Sequence, residues 1–172
     1  MIIQTTRVGT EPVAIHLGPA RREFTLSLWV RPEGNNGINL NDGQVAFWSD
    51  SQACALQIAT ANNVGQNFFV MVDHKYESAS YLFANRKWQH IAVTRNLKGV
   101  FDFYVDGEIV CSFQLADDPF VWGTAYIGAR HDQSYLGVDS FTGQLLGQID
   151  QIDLLEEASH SAVVDLMRRG HA

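Results

Sequence analysis

The segment WQHIAVTRNLKGVFDFYVDGEIV, which begins at Trp88, constrains the fold of this chain more than any other stretch. Its residues Gln89–Arg95 alternate with a period of two and are rich in β-branched side chains, which predicts a strand. A second alternating run, Val100–Val105, is followed by Asp106 and Gly107, a pair that favours the positive φ angles of a tight hairpin turn. The residues after the turn return as a third strand, so the segment is predicted to be a β-meander that serves as scaffold.

Runs of strand length recur through the rest of the chain, separated by stretches rich in Asn, Gly and other polar residues. The further predicted strands are Phe24–Arg31, Gln44–Trp48, Ala55–Ala59, Asn67–Val72, Tyr81–Ala84, Ala125–Ala129 and Gln144–Leu155. Glu33–Gly43 and Arg130–Ser140 are predicted to be loops. Many short strands of this kind are typical of an antiparallel sandwich or a jelly roll, and periodicity alone does not choose between them.

The C-terminal end is the one segment whose pattern is helical. Val163, Val164 and Met167 recur at helical spacing, and Gly170 provides a stop signal. Ser159 and Ser161 are the two candidate N-cap residues. The sequence therefore predicts one short helix after the last strand.

Length, charge and cysteine content limit the class of protein. A chain of 172 residues that is 46% hydrophobic suits one domain, residues 1–172, with a sizeable core. The formal net charge of −7 argues against nucleic acid as a partner. No apolar run approaches the ~20 residues of a membrane span, and Met1–Thr10 carries no signal-peptide core. Cys54 and Cys111 lie in apolar runs and are predicted to be buried free thiols, with a single disulfide as the alternative.

Five segments occur in the order found in one known superfamily: FTLSLWVRP, WQHIAVTRN, FYVDGEIV, YIGAR and LLGQIDQIDLLEEASHSAVVDLM. From Phe24 to Gly170 the chain resembles the concanavalin A-like superfamily, in particular its laminin-G-like and pentraxin-like domains. The resemblance implies an all-β fold, an antiparallel two-sheet jelly-roll sandwich with one short C-terminal helix. The cysteine pair of pentraxin-like domains would lie near Ser27 and Ala92, so the laminin-G-like branch is the better description.

The same resemblance implies calcium as a cofactor. The loop HDQSYLGVDSFTGQ, from His131 to Gln144, is similar to the acidic loop that supplies calcium ligands in pentraxin-like domains. The implied metal ligands are Asp132, Asp50 and Gln144, and Gln133 and Asp139 could add the further oxygens that Ca²⁺ requires. Arg130 and His131 stand beside this loop, and a neighbouring cation disfavours metal binding. An ordinary solvated polar loop is the alternative.

Aromatic residues near these polar groups predict a second kind of site. Sugar rings stack on aromatic planes while short polar side chains bond their hydroxyls. Tyr135 and Trp48 are the expected stacking residues, with Gln133 and Asp139 as polar contacts to the ligand. Trp122 and Tyr76 are further candidates, although packing in the core or in a loop is the commoner role of a large aromatic side chain.

A glycoside hydrolase is a weaker interpretation. Gln148, Asp150 and Asp153 have the spacing of the Glu-x-Asp-x-x-Glu pattern of related jelly-roll hydrolases, which holds two carboxylates in a cleft. Gln148 cannot act as a nucleophile, so the pair is incomplete. The segment is also similar to a laminin-G-like signature, which implies a structural role for Asp150.

The sequence therefore predicts a non-catalytic binding module with lectin-like recognition of a glycan or another extracellular ligand through loops of the jelly roll. The alternative is a structural domain that forms a homo-oligomer. The resemblance also implies an extracellular location.

Overall fold

The computed structural model describes residues 6–8, 12–33, 44–61, 66–132, 140–143 and 145–170. In the first half of the chain the strands are β1 (Thr6–Val8), β2 (Val13–Ile15), β3 (Phe24–Pro32), β4 (Gln44–Asp50), β5 (Cys54–Ala61), β6 (Phe68–Val72) and β7 (Lys75–Ala79). In the second half they are β8 (Gln89–Arg95), β9 (Val100–Val105), β10 (Glu108–Gln114), β11 (Ala125–Ile127), β12 (Arg130–Asp132), β13 (Ser140–Thr142) and β14 (Gly147–Leu155). One helix, α1 (His160–Arg168), follows.

The strands form two six-stranded antiparallel sheets and a small ribbon. Sheet I has the order β1-β14-β3-β8-β9-β10, and sheet II has the order β2-β11-β4-β5-β6-β7. The ribbon consists of β12 and β13 alone. The strand order within each sheet departs from the chain order, as in a jelly roll, so the fold class expected from the resemblance is confirmed.

The core lies between the two sheets and is dominated by aromatic side chains. Phe24 of β3 packs against Phe101 of β9, with ring centroids 6.2 Å apart, and against Trp122, at 4.8 Å. Phe68 of β6 meets Phe103 of β9 at 4.9 Å across the sandwich. Alternation along each strand sends these side chains inward, which explains why the meander is scaffold.

Helix α1 covers part of the outer face of sheet I. Its Val163 is buried against Ala92 and Tyr104, and His160 lies over the Tyr104 ring at a centroid distance of 5.7 Å. The Ser159 side chain caps the helix by accepting a hydrogen bond from the Ala162 amide at 3.1 Å. Of the two N-cap candidates, Ser159 is therefore the one used.

The meander follows its prediction closely. Strands β8 and β9 have the predicted bounds, and Asp106 and Gly107 take φ angles of 50° and 82° in the turn between β9 and β10. Positive φ at both central turn residues matches the twist of a two-stranded hairpin. Gly170 ends α1 with a φ of 74°, also as predicted.

Two local predictions were wrong. Tyr81–Ala84 is not a strand: Tyr81 and Phe83 pack their rings against Phe68, while Leu82 between them is 93% exposed. The strand lies earlier, at β7. The predicted loop Arg130–Ser140 begins with β12 and ends at β13, which pair through Arg130 with Thr142 and Asp132 with Ser140.

Two remaining points concern the cysteines and the membrane. Cys54 and Cys111 are free, and Cys54 is buried, as predicted, whereas Cys111 is only partly buried. Burial raises the pKa of the Cys111 thiol to about 11, and Asp102 adds to the rise, so this thiol is protonated at neutral pH. Within the described ranges, no helix is long and apolar enough to span a lipid bilayer.

Candidate functional site

A cavity of about 200 Å³ opens between the ribbon and the outer face of sheet II. Its lining residues are Trp48, Asp50, Thr124, Tyr126 and His131. Trp48, Tyr126 and His131 contribute aromatic rings that carry a hydrogen-bonding atom. Thr124 contributes a hydroxyl group, and Asp50 contributes a carboxylate. The cavity is therefore suited to a small ligand that is rich in hydroxyl groups.

Strand register brings these residues together. Trp48 of β4 pairs directly with Tyr126 of β11, and Asp50 lies two residues further along β4. Residues two apart on a strand share a face, so Trp48 and Asp50 both project outward while Phe47 projects into the core. The floor of the cavity is thus formed by two neighbouring strands of sheet II.

The ribbon supplies one wall. The His131 ring of β12 stacks on the Tyr126 ring with centroids 4.7 Å apart and an interplanar angle of 18°. Phe141 of β13 meets the Tyr126 ring edge at 5.3 Å. The His131 ring also lies 5.3 Å from the Phe141 ring, and these aromatic contacts attach the ribbon to sheet II.

Charges around Asp50 are of mixed sign. Partial burial raises the pKa of the Asp50 carboxyl, and the positive charges of Arg130 and His131 oppose that rise. The Arg130 guanidinium also lies over the Trp48 ring, 4.6 Å from its centroid, a cation–π contact. Asp50 therefore has two potential cations as neighbours, and no second carboxylate among the described residues that line the cavity.

Trp48 provides an unused donor beside this carboxylate. The side chain is 5% exposed, and its buried indole N–H has no hydrogen-bond acceptor in the described structure. A buried donor without an acceptor is uncommon in folded proteins because its lost hydration is not replaced.

Sequence reasoning found only part of this site. Trp48 and Asp50 were predicted and line the cavity, and the structure brings them next to the start of the predicted calcium loop. Gln133, Tyr135, Asp139 and Gln144 lie outside the described residues, as does the Asp132 side chain. The sequence analysis did not assign Thr124 or Tyr126 to any site and treated His131 only as a neighbouring cation.

Calcium does not fit the donor set that can be described. Within the described ranges, no group of three or more His, Cys, Asp and Glu side chains could hold a metal ion. Asp50 is the sole carboxylate among the described residues that line the cavity, whereas Ca²⁺ takes six to eight oxygen ligands. The calcium site expected from the resemblance stays a prediction, because most of its ligands lie outside the described part.

The two other aromatic candidates, Trp122 and Tyr76, differ in how much of the side chain is exposed to solvent. Trp122 is 8% exposed and packs against Phe120 at 4.7 Å, so it belongs to the core. Tyr76, on β7, is 61% exposed, and its ring stacks on that of Phe69 at 5.5 Å. Of these two, only Tyr76 presents its ring to solvent.

Asp150, one of the two carboxylates in the incomplete hydrolase pattern, is structural. Asp150 is 1% exposed, and its Oδ1 accepts a hydrogen bond from the Gln151 amide at 2.8 Å. The pairing of β14 with β3 is irregular at this point, and Gln151 has a φ of 45°. Asp150 thus stabilises a bulge in sheet I and lies apart from the cavity on sheet II.

Gly123 gives a direct test of how the cavity is held. A Cβ atom at this position would lie 1.7 Å from the Asp50 carbonyl oxygen. We expect Gly123→Ala to destabilise the fold by about 1–3 kcal/mol and to displace Asp50 relative to Thr124, because backbone must move to relieve the overlap. Urea unfolding measures the first effect, and the shift of the Trp48 indole N–H resonance reports the second.

Gly170→Ala is the control for this experiment. Gly170 has a φ of 74° and no neighbouring atom within 4 Å of an added Cβ, so its cost comes from backbone strain alone. That variant should lose about 1 kcal/mol and leave the Trp48 resonance unchanged. Equal shifts of the Trp48 indole N–H resonance in Gly123→Ala and Gly170→Ala would contradict the prediction that Gly123 acts locally on the cavity.

Comparison with solved structures finds the same fold in proteins of low identity. Domain 4 of AbnA, an extracellular GH43 arabinanase from Geobacillus stearothermophilus solved in complex with arabinotriose, aligns at a TM-score of 0.66 and 18% identity, over 90% of this chain and 71% of that one. The heptameric SAP-like pentraxin from Limulus polyphemus aligns at a TM-score of 0.61 and 16% identity, over 94% of this chain and 79% of that one.

A third similar structure is the ligand-binding domain of botulinum neurotoxin serotype D in complex with N-acetylneuraminic acid. It aligns at a TM-score of 0.63 and 16% identity, over 92% of this chain but only 39% of that one. At such identities the likeness shows the fold. No curated protein matches the sequence. The family model for the concanavalin A-like lectin/glucanases superfamily, of laminin G type, matches residues 8–162, and the chain therefore belongs to this family.

Proposed function

We propose that this chain is a non-catalytic module that binds a glycan in the cavity between the ribbon and sheet II. The observation that carries the proposal is the cavity of about 200 Å³ with Trp48, Asp50 and Tyr126 in its lining. Sites for drug-sized ligands usually have about 300–1,000 Å³, so this cavity suits a single sugar ring. The arabinotriose and N-acetylneuraminic acid complexes of two similar structures support this class of ligand.

Each lining group has a role in sugar recognition. The Asp50 carboxylate accepts hydrogen bonds from two sugar hydroxyls, and a charged acceptor makes these bonds stronger than neutral ones. The Trp48 indole N–H has no acceptor among the described residues, and because it is buried it would donate to a sugar oxygen only after a local shift of the cavity lining. Thr124 can both donate and accept. We propose no chemical step, because Asp50 has no second carboxylate beside it among the described cavity residues.

Asp50→Asn tests this assignment. The substitution keeps the size of the side chain but removes its charge and replaces one acceptor by a donor. We expect affinity for the bound sugar to fall roughly 10- to 100-fold, the equivalent of losing about 1.5–3 kcal/mol of charged hydrogen bonding. Isothermal titration calorimetry measures it, with arabinotriose, N-acetylneuraminic acid, glucose, galactose and N-acetylglucosamine as probes.

Asp165→Asn makes the same change on the exposed surface of α1, on the outer side of sheet I. The Asp165→Asn variant should bind the sugar with the same affinity as the unchanged protein. Equal affinity of Asp50→Asn and the unchanged protein would contradict the proposed site. If no probe binds to the unchanged protein, glycan binding itself is contradicted for these sugars.

The titrations also address calcium if they are repeated in millimolar Ca²⁺ and in chelator. We expect the same affinity in both, because Asp50 has Arg130 and His131 as its charged neighbours. A calcium-dependent gain, lost in Asp132→Asn, would restore the calcium loop implied by the resemblance. Self-association of the chain stays a prediction, which light scattering can examine.

A further inference from the structure

The outer face of sheet II carries a second aromatic surface away from the cavity. Tyr76 of the edge strand β7 is 61% exposed, and one side of its ring stacks on Phe69 of β6 at 5.5 Å and 26°. Stacking against Phe69 leaves the opposite side of the Tyr76 ring facing solvent. We call this pair the Tyr76–Phe69 platform.

Strand register places the platform in line with the cavity. Asp50 pairs with Ala55, Ala55 with Met71, and Met71 with Tyr76. Residues paired in this way lie side by side on one face, and strands are about 4.8 Å apart, so Asp50 and Tyr76 are separated by roughly 14 Å across the sheet. Ala55, which is 2% exposed, and Met71 occupy the positions between them, so the two positions between the sites carry no charged side chain.

The two sites offer complementary chemistry. In the cavity, Arg130 lies over the Trp48 ring and His131 is stacked on Tyr126, so these ring faces are already covered. The cavity therefore contributes mainly hydrogen-bonding groups. The platform has what the cavity lacks, an aromatic face that a sugar ring can cover.

The platform is also held in a fixed position. The turn that joins β6 to β7 has Asp73 and His74 at its centre, with φ angles of 50° and 63°. Positive φ at both residues is the geometry of the tight turn that sets hairpin register. Asp73 and His74 are exposed beside Tyr76 and offer polar groups to the hydroxyls of a sugar on the ring. Such preorganisation lowers the entropic cost of binding.

We propose that the Tyr76–Phe69 platform is a second sugar subsite, and that the ligand is a linear oligosaccharide with one sugar unit in the cavity and another on Tyr76. This inference rests on the proposed function, because the platform by itself has an open ring but few fixed polar partners. Binding at two subsites on one chain makes the second contact intramolecular, so affinity should rise with chain length.

Calorimetry on the full chain tests the inference. The probes are arabinose, xylose, glucose and N-acetylglucosamine, each with its linear hexasaccharide. We expect a hexasaccharide to bind at least tenfold more tightly than its monosaccharide. Tyr76→Ala should weaken the hexasaccharide roughly fivefold to tenfold, the scale of an aromatic stacking contact, and leave the monosaccharide unchanged. Tyr76→Phe is the matched control, because it keeps the ring and should keep the affinity.

The outcomes separate the inference from the proposed function. Monosaccharide binding without any gain for the hexasaccharide would overturn the second subsite and leave the cavity site standing. A length-dependent gain that survives Tyr76→Ala would also overturn it. Loss of both affinities in Asp50→Asn, with loss of only the length-dependent gain in Tyr76→Ala, is the result that the inference requires. Absence of binding by every probe would overturn both proposals together.

Discussion

Arg95→Ala is expected to destabilise the fold by about 3–5 kcal/mol, the largest effect of any single substitution argued for this chain. The Arg95 side chain is fully buried, and its guanidinium donates hydrogen bonds to four backbone carbonyl groups. Nη1 reaches the carbonyl oxygens of Arg21 and Arg22, both at 3.1 Å, and Nη2 reaches those of Ala116, at 2.9 Å, and Asp118. Truncation removes the guanidinium donor from all four carbonyls, of which Arg21 keeps the Phe120 amide as a second donor, and it opens a cavity.

The side chain joins two distant parts of the chain. Arg21 precedes β3, whereas Ala116 and Asp118 lie in the segment that follows β10, and Arg21 and Phe120 also exchange two backbone hydrogen bonds of 3.0 and 2.7 Å. The segment after β10 continues to Thr124 and β11, both part of the cavity. Loss of Arg95 should therefore raise amide hydrogen exchange most between residues 115 and 120.

Two further variants make the measurement specific. Arg95→Lys keeps the charge, but a single ammonium cannot bridge two pairs of carbonyls, so it should lose about half as much stability as the alanine variant. Arg22→Ala removes an exposed arginine side chain and keeps the carbonyl, so a change within about 0.5 kcal/mol is expected. Urea unfolding compares the three. A stable Arg95→Ala protein with an unchanged denaturation midpoint would contradict the assigned role.

The meander could be predicted from the sequence because its strands follow one local rule, the alternation of inward and outward side chains with a period of two. Large apolar residues such as Phe101 and Phe103 occupy most of its inward positions, with Arg95 as an exception, and its turn has the Asp-Gly pair that positive φ angles favour. The edge strand β7 could not be read in this way. Its sequence, KYESA, has no apolar alternation, because an edge strand with one pairing partner needs little burial.

The candidate site was harder to predict because three separate segments build it. Trp48 and Asp50 share a strand, so alternation placed them on one face. Tyr126 and His131 reach the same cavity through the pairing of β11 with β4 and through the ribbon, neither of which has a local signal in the sequence. The alternation of Ala125 and Ile127 around Tyr126 was available as a hint that Tyr126 points outward.

Acid should destabilise this fold below neutral pH through His90. The imidazole is 1% exposed and contacts the edge of Trp29 at 5.2 Å, and its Nδ1 has no hydrogen-bond partner among the described residues. Burial lowers the pKa of His90 from 6.5 to about 4, because the charged form would lose its hydration. Folding therefore holds the side chain neutral where the unfolded chain would accept a proton.

The direction of the pH effect follows from proton counting. Well above pH 6.5 neither the folded nor the unfolded state binds the proton, so His90 causes no loss of stability there. As the pH falls from 6.5 towards 4, the unfolded state alone is protonated, and stability is lost progressively, by up to about 3 kcal/mol. The raised pKa values of Asp50 and Asp153 act in the opposite direction, because protonation there favours the folded state. A comparison with a His90 variant is therefore needed to isolate this effect.

His90→Leu should remove most of this dependence, since leucine does not titrate and fills a similar volume. The measurement is the free energy of unfolding in urea at pH 7.0, 6.0, 5.0 and 4.5 for the unchanged protein, for His90→Leu and for His16→Leu, the same change at an exposed histidine. The unchanged protein and His16→Leu should show parallel pH dependence, whereas His90→Leu should lack the loss of up to about 3 kcal/mol that His90 causes between pH 6.5 and 4. Three parallel curves would mean that folding leaves the pKa of His90 unchanged, and would contradict the burial of a neutral imidazole against the edge of Trp29.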